Sequence, residues 1–179
     1  MSPIAKRPPR KHASAKGQPV NEALPENLAF MRLLWAVDHG LRSISKQMQA
    51  TIGLTGPQRL VLRILGRTPR VMPSELAELL HLDRGTVSGV LDRLVDQQLI
   101  VRRPHPEDGR SVLVELSARG KLLDRETAGT VEACVRRALA SLPRSKVDAA
   151  IAVLEALARE LTREEERGAA RRAESSAGD

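Results

Sequence analysis

Aromatic side chains are nearly missing from this chain: Phe30 and Trp35 stand alone among 179 residues, and there is no Tyr. A hydrophobic core must then be assembled from Leu, Val, Ile and Ala. That set suits packed helices better than a sandwich or barrel, whose strands draw on aromatic and β-branched residues. The length suits one domain, and an apolar fraction of 41% beside a charged fraction of 28% is ordinary for a soluble globular protein. No apolar run approaches the roughly 20 residues that a membrane helix needs, and no short apolar stretch follows the basic start as a secretory signal would require. The expectation is a soluble, cytoplasmic protein with no membrane partner. Cys134 is the single cysteine, which argues against a disulfide framework and a cysteine-built zinc site.

The distribution of charge matters more than the net +7. Lys6, Arg7, Arg10, Lys11 and Lys16 precede the first acid, Glu22, so the leading segment alone carries most of the excess. The remaining 24 basic residues face 22 acidic ones, and the foldable part is nearly balanced. Residues 1–23 are rich in Pro, Lys, Arg, Ser and Ala and cannot bury enough to offset their ordering entropy, so they are expected to form a disordered basic arm. Residues 164–179, charged and then rich in Ala, Ser and Gly, are expected to form a flexible tail. One domain over 24–163 remains.

Within it, Leu28, Met31, Leu34, Leu41, Ile44 and Met48 form one helical stripe and Phe30, Leu33 and Val37 a second, over about Pro25 to Gln49. A helix apolar around that much of its girth must be covered on more than one side. Val147, Ile151, Leu154, Leu157 and Leu161 recur at helical spacing near the other end, and Leu122, Val131, Val135, Ala138 and Leu139 do so less regularly before Pro143. These terminal helices carry more apolar surface than the middle of the chain can cover, which predicts a homodimer through them (24–53 and 117–163).

The middle, 54–116, is punctuated differently. Gly56-Pro57 opens a short helix that stops at Gly66. Pro73 takes a first helical position with Glu75 at N3, but the N-cap is Met72, which has no oxygen to offer, so this start should be weaker by about 1 kcal/mol. After a turn at His81-Leu82, Asp83 caps a helix that buries Val87, Val90, Leu91 and Leu94. The runs 99–103 and 111–116 read as two strands joined by PHPEDG, a turn-forming segment, and Ser117 caps the next long helix. Short helix, tight turn, amphipathic helix and hairpin together spell a winged helix-turn-helix, so the fold class is mainly α with a small β-wing. The second helix of such a pair can enter a major groove about 12 Å wide. Its outward face is Arg84, Gly85, Thr86, Ser88, Gly89 and Asp92, with Arg93 at the edge. A solvated helix face would also be polar. The hairpin tips the balance, because Arg102, Arg103 and Arg110 place cations beside that helix, where a duplex backbone and minor groove would lie.

The runs LTGPQRLVLRIL (54–65), SELAELLHLDRGTVSGVLDRLVDQQLI (74–100) and DGRSVLVELSARG (108–120) resemble the MarR family of bacterial winged-helix regulators. The last run fits the family's wing signature, Asp-x-Arg followed by an apolar strand and Leu-Ser-x-x-Gly. The resemblance is specific over about 54–122 and topological over the flanking helices. It implies a homodimer whose terminal helices interlock, two winged lobes on a pseudo-palindromic double-stranded DNA operator, and control by a small, often phenolic or lipophilic, effector. Carried over, it implies recognition-helix contacts from Arg84, Thr86 and Ser88, and a minor-groove Arg110 oriented by Asp108. Ser74, Thr55 and Gln58 would meet phosphates. A cleft between the long first helix and the DNA-binding lobe would be lined by Trp35, His39, Arg42, Arg59 and Arg63, suited to a small anionic aromatic acid; the alternative is that Trp35 is core and the arginines are phosphate contacts or surface. The chain departs from the family at Gly89, where many relatives carry the guanine-reading Arg, and at Gln98, where a helix ending in a left-handed residue prefers Gly.

Cys134 lies among apolar helical neighbours, Val131, Val135 and Ala138, and reads as a buried, inert thiol, with Arg136 and Arg137 projecting elsewhere. His12, His39, His81 and His105 show no ligand spacing, so no metal is expected. No GxGxxG, P-loop, HExxH or GxSxG motif is present, and no enzymatic activity or cofactor is expected. The reading is a sequence-specific DNA-binding regulator, a repressor. Its competitors are a non-specific architectural DNA-binding protein of the same fold and a winged-helix module for protein interaction.

Overall fold

A computed structural model describes residues 24–125 and 128–177, so the basic arm expected over 1–23 lies outside the described residues. In order, the elements are α1 (Glu26–Ile52), α2 (Gly56–Arg67), α3 (Pro73–Leu80), α4 (Arg84–Asp96), β1 (Ile100–Pro104), β2 (Val112–Leu116), α5 (Ala118–Arg125), α6 (Val131–Ala140) and α7 (Arg144–Ala177). The molecule divides inside α1 into a unit ending at His39 and a unit beginning at Gly40. In the first unit Leu28, Phe30, Met31, Leu33, Trp35 and Val37 are all exposed.

The second unit holds the core. Leu54, Val61, Leu62 and Leu65, from α2 and the residues before it, meet Leu76 and Ala77 of α3 and Val87, Leu91 and Leu94 of α4. Leu99, just before β1, and Ile100, Val114 and Leu116 of the strands close the cluster. No aromatic ring enters it. β1 and β2 pair antiparallel from Ile100 opposite Leu116 to Pro104 opposite Val112. A single bridge from Val71 to Val114 ties the loop before α3 to the far edge of β2.

The helix starts follow their chemistry. Thr55 and Gln58 form a reciprocal capping box at α2, and the Asp83 carboxylate accepts from the Thr86 amide at 2.8 Å. Met72 supplies no cap, but the other half of the box is present, since the Met72 amide donates to the Glu75 carboxylate at 2.7 Å. The expected weakness at α3 is therefore partly offset. α4 ends in a Schellman motif: Gln98 takes φ 58°, its amide reaches Val95 O at 2.7 Å and the Leu99 amide reaches Leu94 O at 2.9 Å. Gln98 thus adopts the left-handed conformation usually left to glycine, held there by those two bonds and by burial of Leu99.

Two expectations need correction. The helix capped by Ser117 is short: α5 ends at Arg125, and α6 restarts behind Gly129, at φ 68°, and the buried N-cap Thr130. The tail expected from 164 is helical to Ala177. Ion pairs one turn apart, Glu160 with Arg163 and Glu164 with Arg167, together with Glu164 and Arg171 across two turns, support a helix with no apolar face there.

Candidate nucleic-acid interface

α4 buries Val87, Leu91 and Leu94 and exposes Arg84, Gly85, Thr86, Ser88, Gly89, Asp92 and Arg93, so its outward face is the one the helical periodicity specifies. The helix is anchored at its start by Asp83, whose carboxylate also accepts from the Thr86 hydroxyl. The Thr86 side chain and amide, in that order, hold the Asp83 carboxyl below the ordinary aspartate value. Thr86 is thus committed to the cap, leaving its methyl group for outside contacts. At Gly89 an added β-carbon would meet nothing within 4 Å. No neighbour inside the fold requires the glycine, and a smooth strip of backbone is left on the exposed face.

The wing sits beside this face through an ion pair between Arg102 on β1 and Asp92 on α4, at 2.6 Å. Arg103 pairs with Glu115 across the hairpin at 3.1 Å, and Arg70, itself at φ 64°, approaches the same carboxylate at 3.6 Å. The Arg103 hydrogen bond leads the interactions that hold Glu115 below the usual glutamate range. At the tip, Asp108 organises the turn through its neighbours: the Ser111 hydroxyl and the Arg110 amide both donate to it, and these bonds, the hydroxyl first, lower its pKa. The expected orienting of Arg110 is therefore exerted on its backbone, not its guanidinium.

Among the described residues, Arg84, Arg93 and Arg110 are exposed cations with no ion pair, whereas Arg102 and Arg103 are paired within the lobe. α4 and the wing tip thus present cations with no partner inside the lobe. One expected phosphate contact is corrected. Gln58 is buried, its side-chain oxygen accepting from the Thr55 amide at 2.9 Å and the Thr55 hydroxyl at 3.0 Å, so the capping box takes up that oxygen. Ser74 is half-buried in the first turn of α3.

The residues assigned to an effector cleft are dispersed in role. Trp35 and His39 are exposed in the first unit, and Arg42 is exposed in the second. Arg59 is 1% exposed and ion-paired to Glu132 at 2.6 Å, and Arg63 pairs with Asp124 at 2.6 Å. Both arginines therefore have internal partners where an effector's carboxylate was expected. Cys134 is half-buried, and Arg137 donates to its sulfur at 3.2 Å; that arginine does not project elsewhere. Among the described residues no cluster of His, Cys, Asp or Glu could hold a metal ion, and no helix is long and apolar enough to cross a membrane.

A family model described as MarR family matches residues 54–112. The organic hydroperoxide resistance transcriptional regulator of Bacillus subtilis is 35% identical over 56% of this chain and 67% of its own. An HTH-type transcriptional repressor of Mycobacterium tuberculosis is 32% identical over 62% of this chain and 79% of its own. Among solved structures, that of a probable transcriptional regulator from Pseudomonas aeruginosa is 30% identical with a TM-score of 0.56, over 70% of this chain and 93% of that one.

Proposed function

The chain belongs to the MarR family, and from that premise we propose that it is a sequence-specific, double-stranded-DNA-binding transcriptional regulator that represses its targets as a homodimer in the cytoplasm. The observation that carries this reading is the placement of charge. On the exposed surface of α4 and the wing, Arg84, Arg93 and Arg110 have no ion-pair partner inside the lobe. The acids of the same surface, Asp83, Asp92 and Asp108, are each engaged. Such a surface offers cations to phosphates and base edges, with Asp92 ion-paired to Arg102 and with Asp83 and Asp108 held in local hydrogen bonds.

Dimerisation is supported by apolar surface that a lone subunit leaves to water. Val135 and Leu139 of α6 and Ile151, Leu154 and Leu161 of α7 are exposed, as is the apolar set of the first unit. Exposed apolar side chains in such number mark an interaction surface. The basic arm adds counterion-releasing affinity without sequence information. The named relatives are themselves regulators and repressors, and repression here is carried over from them. Control by a small anionic aromatic acid is a further part of the proposal. A rise in melting temperature with added aromatic carboxylate tests it.

Selection of bound duplexes from a random pool tests the whole reading. A regulator of this kind enriches an inverted repeat with half-sites about one helical turn apart, and keeps at least a thousandfold preference over random duplex at moderate salt. A pool without enrichment but with salt-sensitive binding would favour the architectural protein, and no binding at all would favour the protein-interaction module.

A further inference from the structure

Among the described residues Arg59 is the largest fully buried side chain, and a guanidinium is costly to bury unless every donor is met. Here its donors are met by the ends of two different helices. Nη1 donates to Leu123 O at 2.7 Å and Nη2 to Asp124 O at 3.5 Å, both in the last turn of α5. Nε donates to Glu132 Oε1 at 2.7 Å, in the first turn of α6. One turn along α2, Arg63 Nη1 donates to Asp124 O and Asp124 Oδ1, each at 2.6 Å, and its Nε lies 3.9 Å from Glu132 Oε1. The cations of α2 thus meet the carbonyl end of one helix and a carboxylate at the amide end of the next, where helix dipoles favour each charge. Gly66, the next turn of α2, lets Asp124 approach: a β-carbon there would stand 2.5 Å from its carboxylate. At the start of α2 the Gly56 amide donates to Ser45 Oγ of α1 at 2.8 Å.

The covalent path between α5 and α6 passes through Gly129 in the left-handed region, and the direction of α6 relative to the lobe is not dictated by a continuous helix. We propose that Arg59 and Glu132 are positioning residues for operator binding. They clamp the elbow between α5 and α6 and so fix the angle at which the winged lobe is carried by the helices through which two copies pair. Neither residue touches DNA. This rests on the homodimeric DNA-binding reading above.

The test uses the full chain with a nitroxide on Glu78→Cys of α3, an exposed position, in a Cys134→Ala background. The distance between the two labels of a dimer is measured without duplex, beside operator affinity at several salt concentrations, sedimentation and thermal melting. Glu132→Gln is expected to broaden the distance distribution and weaken operator binding at least about tenfold. Dimer mass should be retained, and so should the slope of log affinity against log salt, since no phosphate contact is lost. The double variant Arg59→Met with Glu132→Met removes both charges together, a replacement that protein interiors tolerate, and should broaden the distribution equally while staying folded. Unaltered distances and affinity in both variants, or an affinity loss matched by loss of folded protein, overturn the proposal. A wild-type chain that enriches no duplex would sink the functional reading instead, while the label distances would still decide whether the clamp exists.

Discussion

The α-carbon of Gly120 lies so close to Leu99 that a β-carbon would stand 2.0 Å from the Leu99 carbonyl oxygen. That carbonyl also accepts from the Ser117 amide at 3.0 Å. The Ser117 hydroxyl in turn donates to Gln98 O at 2.7 Å and accepts from the Gly120 amide at 3.0 Å. The Leu-Ser-x-x-Gly run thus locks the start of α5 onto the end of α4, and its serine and glycine serve the scaffold that holds the reading helix.

Gly120→Ala should therefore destabilise the lobe by about 1–3 kcal/mol, the usual range of overpacking. A urea titration followed by circular dichroism measures it, and a midpoint within error of the wild type would contradict the close approach.

Gly89→Ala should do the opposite to stability. Nothing surrounds the position and alanine is favoured in a helix interior by roughly 1 kcal/mol, so the melting temperature should rise. If α4 lies against a duplex with its backbone close, operator affinity should fall at the same time. A variant that is more stable and binds equally well would show that the bare strip has no role in recognition.

Arg84→Ala and Arg110→Ala should each weaken operator binding by about 1–3 kcal/mol if they read base edges. The signature of base reading is a loss of preference at particular base pairs, and of phosphate contact a uniform loss with a salt slope reduced by about 0.9. Deleting residues 1–20 should produce only the second pattern. Competition titrations at several salt concentrations separate the two.

Acid should loosen the elbow and the start of α4. Burial raises the pKa of Glu132, but hydrogen bonds from Arg59, its own amide and Thr130 outweigh this and leave it below the ordinary glutamate value; Asp83 is lowered by Thr86. Carboxyls depressed in the folded state stabilise it above their unfolded pKa, and that stability is lost as pH falls through the folded value. Stability should be flat near neutrality and decline below about pH 4. In Glu132→Gln the decline should be shallower, as equilibrium unfolding against pH would show.

Leu154→Glu, on the exposed face of α7, should yield a monomer by sedimentation while leaving the far-ultraviolet spectrum of the lobe intact. Dimers persisting at micromolar concentration would exclude α7 from the interface.

Much of this molecule is legible in one dimension because its signals are local. Asp83 before Val87, Leu91 and Leu94 declares a capped helix and its buried face, and two short apolar runs joined by the turn-forming PHPEDG declare the hairpin. Aromatic poverty pointed correctly to an aliphatic, helical core. The tail beyond 163 was misread because its helix rests on ion pairs between turns, with no apolar stripe to betray it. The break at Arg125 is harder to read, because Leu122 joins the stripe from Val131 to Leu139 only across a gap that includes Gly129.

What the chain determined by itself was therefore each helix and strand whose cap, periodicity or turn lies within a few neighbours, and with them the polar strip on α4. What only the tertiary structure decided was which cations remain available. Arg59, Arg63, Arg102 and Arg103 read in sequence like Arg84 and Arg110, yet their partners Glu132, Asp124, Asp92 and Glu115 stand 10 to 73 positions away. Charge pairing over such separations depends on where packing brings the chain back on itself, and no local pattern encodes that.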